Sequence, residues 1–100
     1  MAEVVWTLAA TLDYQQLFNR FEEHRGGGGN RFEEELGARL GLLAIFPHMG
    51  TLYEAPFRRL LVFGHEYGLF YTVEARGIII HAVLHNRQNP EAIHRRLLGD

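Results

Sequence analysis

The sequence predicts an α+β domain of two layers, in the order β-α-α-β-β-β with a short C-terminal helix: a helical hairpin packed on an antiparallel sheet. Three observations carry that reading. Apolar residues recur at helical spacing in two runs before residue 47, and four consecutive glycines, Gly26 to Gly29, separate the runs. After Pro56 the apolar period changes to two. Near the end, Asn89-Pro90-Glu91 has the form of a helix start with proline at the first helical position. An amphipathic hairpin and a sheet must bury their apolar faces on each other, which gives the two layers.

The elements follow in order. Val4-Val5-Trp6 is a short β-prone run. Thr7 stands where a helix N-cap would. Tyr14, Leu17, Phe18 and Phe21 then fall at i, i+3, i+4 and i+7, predicting a helix from Leu8 to Glu23. The glycines read as a flexible turn. Asn30 with Glu33 resembles a capping arrangement for a second helix, along which Phe32, Leu36, Leu40 and Leu43 repeat. Gly37 and Gly41, one turn apart, are expected to let the neighbouring helix approach closely. Phe46-Pro47 ends this helix, because a residue before proline is pushed out of the α region. A loop with Gly50 and Pro56 follows. Strands are predicted over Phe57–Phe63, Leu69–Glu74 and Gly77–His85, with turns at Gly64 to Gly68 and Ala75 to Gly77. Short connections make them antiparallel neighbours. Ile93 and Leu97 are placed to pin the last helix to the sheet.

Composition narrows the class. One hundred residues make one domain, residues 1–100, and 47% hydrophobic content excludes disorder. The absence of cysteine excludes disulfides and thiolate metal sites. The N-terminus has no signal-peptide pattern and no apolar run is long enough for a bilayer, so a soluble cytoplasmic protein without a membrane partner is expected. A net charge of −2 argues against non-specific nucleic-acid binding by the chain as a whole. All ten cations are arginine, each offering a planar fork suited to carboxylates and phosphates. Of the six histidines, His81 and His85 are read onto one strand face, roughly 13 Å apart, too far to chelate one ion. No metal or cofactor is expected. The glycine run follows a helix and lacks a downstream Lys-Ser/Thr, so it is no phosphate loop.

Particular residues in this order resemble the RelE/ParE toxin superfamily. Val4-Val5-Trp6-Thr7 is similar to its opening strand. Leu42-Leu43-Ala44-Ile45-Phe46-Pro47-His48-Met49-Gly50 is similar to its most characteristic stretch, a helix ending at Phe-Pro before a glycine loop. Phe57-Arg58-Arg59-Leu60 resembles its arginine-bearing strand. Tyr67-Gly68-Leu69-Phe70-Tyr71 sits where the family commonly reads Tyr-Arg-aliphatic-aromatic-Tyr. Ile80-His81-Ala82-Val83-Leu84-His85-Asn86-Arg87 resembles the closing strand of the ParE-like branch.

The resemblance implies the toxin of a type II toxin–antitoxin, plasmid-stabilising system, held in a hetero-oligomer by a cognate antitoxin. Two targets are implied. ParE-like members poison DNA gyrase without hydrolysis; RelE-like members cleave mRNA on the ribosome without metal. In the nuclease branch an arginine precedes the Leu-x-Tyr of the middle strand, and here that position is Gly68. An arginine on a transition-state phosphate is worth about 10³-fold in analogous phosphoryl transfers. The gyrase reading is therefore favoured, with a non-toxic binding module as a further alternative. The nuclease reading would use His85 as acid or base, with Arg59 and Arg87 clamping phosphate. The binding reading assigns Arg58, Arg59 and Arg87 to acidic groups of the antitoxin in a groove between hairpin and sheet. His94, Arg95 and Arg96 form a second basic patch for antitoxin or target. Arg58 and Arg59 are adjacent in a strand and must point to opposite faces; one is expected at an edge or paired with Glu54 or Glu66. Glu33-Glu34-Glu35 reads as a solvated helix face.

Overall fold

The computed structural model describes residues 2–99. Its elements are β1 (Val4–Trp6), α1 (Leu8–His24), α2 (Gly28–Ile45), β2 (Thr51–Glu54), β3 (Phe57–Val62), β4 (Tyr67–Glu74), β5 (Gly77–His85) and α3 (Pro90–Leu98). The strands form one sheet in the order β1-β5-β4-β3-β2. β1 pairs with β5 in parallel and the other neighbours are antiparallel. This is the expected α+β architecture with one strand more. The segment between Gly50 and Pro56, expected as loop, forms β2. Four residues with only Tyr53 partly buried present no apolar period long enough to read.

Thr7 caps α1 as its residue type predicts, its Oγ1 accepting from the Ala10 amide at 3.1 Å. The start of α2 differs from expectation. The helix begins at Gly28 rather than after Asn30, and its N-cap, Gly27, sits at φ +85° without a side-chain bond of its own. Glu22 of α1 supplies the cap instead, accepting from the amides of Gly27 at 3.3 Å and Gly29 at 3.0 Å. At the glycine run the two helices also approach closely. A Cβ on Gly28 would run into the Phe21 carbonyl, and one on Gly29 would lie 2.8 Å from the Phe18 ring. Gly37 and Gly41, expected at that close approach, are exposed, and a Cβ on either would meet nothing within 4 Å.

Leu17, Phe32, Leu36 and Leu43 of the hairpin pack on Leu60, Leu69, Tyr71, Ile78 and Ile80 of the sheet. Phe70, Ala82 and Leu84 face the other way and are covered by Ile93 and Leu97 of α3. The terminal helix therefore lies across the sheet from the hairpin. A bulge in β5 makes both cores possible. Phe70 pairs with Ala82 and Tyr71 with Ile80, so His81 is the extra residue. Ile78 and Ile80 face the hairpin before it and Val83 after it. Strict alternation would have carried His81 and His85 on one face. The bulge puts them on opposite faces: His81 against Phe57 and Thr72, His85 against Tyr67. No helix among the described residues is long and apolar enough to cross a membrane.

Candidate functional site

The two arginines of β3 diverge as the strand period requires. Arg58 shares the hairpin face with its pairing partner Tyr71. It meets neither Glu54 nor Glu66. Its Nη1 donates to the carbonyls of Gly50 at 2.8 Å and His48 at 3.3 Å. The Tyr71 hydroxyl donates to the Pro47 carbonyl at 2.8 Å and accepts from the Gly50 amide at 2.9 Å. Together they fix the Pro47–Gly50 turn. Burial pushes the Tyr71 phenol up from its ordinary value, against the opposing pull of the Gly50 amide and Arg58, so it stays a neutral donor.

Arg59 lies on the α3 face. Its Cζ is 5.2 Å from the centre of the Tyr53 ring, a cation–π arrangement, and Tyr53 stands edge-on to Phe70. The Arg59 stem crosses β4 at Gly68: a Cβ there would meet its Cδ at 2.9 Å and its Cγ at 3.0 Å. The same Cβ would lie 2.9 Å from Asn86 Oδ1. The Asn86 amide nitrogen donates to the His65 carbonyl at 2.6 Å, which turns its oxygen inward. Arg59 Nε and Asn86 Oδ1 are both buried and without a partner among the described residues. Gly68 is thus a passage: the bare backbone lets a side chain from β3 reach toward the end of β5.

His85 stands on the hairpin face, edge-on to Tyr67 at 4.9 Å. Its Nδ1 accepts from the Arg87 amide at 3.0 Å, so that nitrogen keeps its lone pair and the ring proton sits on Nε2. Arg87 is exposed in the turn before α3. The sheet therefore separates His85 from Arg59. In α3, His94 pairs with Glu54 at 2.8 Å and Arg95 is exposed. Arg96 forks onto Asp13 at 3.0 and 2.6 Å, and Asp13 also accepts from the Val83 amide at 3.0 Å. The predicted basic residues thus fall into two sets. Arg58, His94 and Arg96 hold other elements in place. Arg59, Arg87 and Arg95 have no carboxylate partner among the described residues.

The family model of the ParE toxin of type II toxin–antitoxin system, parDE, matches residues 4–90. The chain belongs to this family. A solved chain from the chromosomal ParDE toxin–antitoxin system of P. aeruginosa is similar in fold to this ParE-family chain, with a TM-score of 0.72 at 17% identity. The match covers 85% of this chain and 96% of that one. No curated protein matches. The chain is thus a toxin-family member of a type II toxin–antitoxin system, and such a system includes an antitoxin.

Reading the sequence missed four residues that shape this ParE-family surface. Tyr53 lies in the unread strand. Asn86 acquires its role only through Gly68. Tyr71 gave no sign of its two bonds. Asp13 did leave a trace, since with Ala10, Tyr14 and Leu17 it falls on the buried stripe of α1. An acid in such a stripe calls for a cation from elsewhere in the fold.

Proposed function

We propose that this chain poisons DNA gyrase by binding it in the cytoplasm, that a co-encoded antitoxin neutralises it in a hetero-oligomer, and that the pair stabilises the replicon carrying it. Arg59, Arg87 and Arg95 receive acidic groups of the antitoxin or target. Arg58, His94 and Arg96 support that surface from below. The observation that carries the reading is the separation of the nuclease candidates. An RNA-cleaving centre needs its acid or base and its phosphate-binding arginines around one phosphate. His85 faces the hairpin, whereas Arg59 lies on the α3 face beside Gly68. Binding needs no such convergence.

Inducing the chain in a bacterial host tests this. The expected outcome is growth arrest with gyrase-dependent DNA breaks and intact transcripts, relieved by the neighbouring open reading frame. Codon-phased cuts in mRNA, with gyrase unaffected, would overturn it.

A further inference from the structure

The sheet order leaves β1 and β2 as edge strands, and where a longer strand runs on past either of them, side chains occupy its open backbone groups. β5 runs on past β1, and there Asp13 takes the Val83 amide. β3 runs on past β2, and there Arg39 donates to the Leu61 carbonyl at 3.1 Å while Glu35 accepts from the Phe63 amide at 2.8 Å. A charged side chain that occupies an edge amide or carbonyl keeps another strand from pairing there. The outer edge of β2 has no such block among the described residues. In an antiparallel pair backbone groups alternate in direction, so with Thr51 opposite Arg59, the amide and carbonyl of Leu52 face outward.

The two sides of this open edge differ. On the hairpin side, Leu52 is 60% exposed, beside the Pro47–Gly50 turn that Arg58 draws to the same face. Phe46 and Met49, at 58% and 36%, continue this apolar surface onto the end of α2. On the α3 side stand Tyr53 and, on its ring, Arg59 without a carboxylate. The acid that β2 itself carries, Glu54, is committed to His94.

We infer that the outer edge of β2 takes up an extended segment of the antitoxin as a sixth strand, one whose side chains alternate apolar and acidic. This rests on the toxin–antitoxin reading above. The strand period sends alternate side chains to opposite faces, so the apolar ones lie on Leu52, Phe46 and Met49 and the acidic ones turn toward Tyr53 and Arg59. Charge selects this occupant over a second copy of the chain. Pairing β2 with β2 would bury the apolar side but bring Arg59 no carboxylate.

The test compares the purified chain, alone and bound to its co-encoded antitoxin, by amide hydrogen exchange and calorimetry. Binding should slow exchange in the segment 51–54. Leu52→Pro, which removes the outward amide, should weaken binding at least about tenfold, the equivalent of one missing backbone pairing. Leu52→Arg changes only an exposed side chain, and it should weaken binding comparably with the fold intact by circular dichroism. Arg59→Ala should reduce the salt dependence of affinity. A complex that forms with segment 51–54 unprotected and both Leu52 variants binding normally would overturn this inference and leave the toxin–antitoxin reading standing. Failure of the two proteins to bind at all would defeat both. Protection of the same segment in the free chain, with a doubled mass, would assign the edge to a second copy instead.

Discussion

At the scale of single residues, Gly68 and Arg59 behave as one unit. Glycine is needed here for room rather than for an unusual φ, because the Arg59 stem and Asn86 Oδ1 occupy the place of its side chain. Gly68→Ala is expected to cost about 1–3 kcal/mol, the usual range for overpacking. In an Arg59→Ala background the penalty should shrink. Urea denaturation of the four proteins of this cycle measures the coupling, and equal penalties in both backgrounds would show that the two sites are independent. Asp13 allows a second cycle. Asp13→Ala removes the partner of Arg96 and also leaves the Val83 amide unsatisfied. It should therefore destabilise more than Arg96→Ala, by about 1–3 kcal/mol in all. A larger loss from the arginine would contradict the double duty of Asp13.

At the scale of elements, the β5 bulge sets both the packing and a pH response. His81, the inserted residue, donates to Thr72 Oγ1 at 2.9 Å, and Thr72 donates to Glu74 at 2.7 Å. Burial lowers the His81 pKa, and the Glu74 charge opposes that shift. In the unfolded chain the imidazole binds its proton near pH 6.5, as free histidine does, and in the fold it does so only at lower pH. Above that window both states hold a neutral ring and His81 adds no pH dependence. As pH falls through it, the unfolded state gains the proton first and stability drops. His81→Gln should flatten this part of the stability profile, below about pH 6.5. A profile unchanged by the substitution would show that the ring titrates alike in both states. Elements were legible where the pattern was local. The N-cap at Thr7, the stop at Phe46-Pro47 and the start at Asn89-Pro90 rest on neighbours within a few residues. The cap of α2 was not, because Glu22 reaches it from the preceding helix. Nor was the bulge, since one extra residue in Ile78–His85 leaves no mark on composition and reverses the face of everything after it.

At the scale of the molecule, the α+β architecture could be read because two periods, 3.6 and 2, divide the chain near Pro47. The arrangement of the arginines could not. Their number and rough position were evident, but which were committed to carbonyls or to Asp13 depended on contacts as distant as Asp13 and Arg96. The terminal helix offers a test of the second core. A chain truncated before Pro90 exposes Phe70, Ala82 and Leu84, buried at 0%, 0% and 8%. It should bind a hydrophobic dye and melt at lower temperature than the full chain. Unchanged dye binding and melting would mean that α3 is no part of the core.

The first strand finds its neighbour in the last one, and the first helix is tied by Asp13 to Arg96, near the C-terminus. Chains are synthesised from the N-terminus, so β1 leaves the ribosome well before β5, and Asp13 well before Arg96. The sheet can close only once β5 has been made. A growing polypeptide of this kind must hold β1 unpaired while everything up to β5 is made.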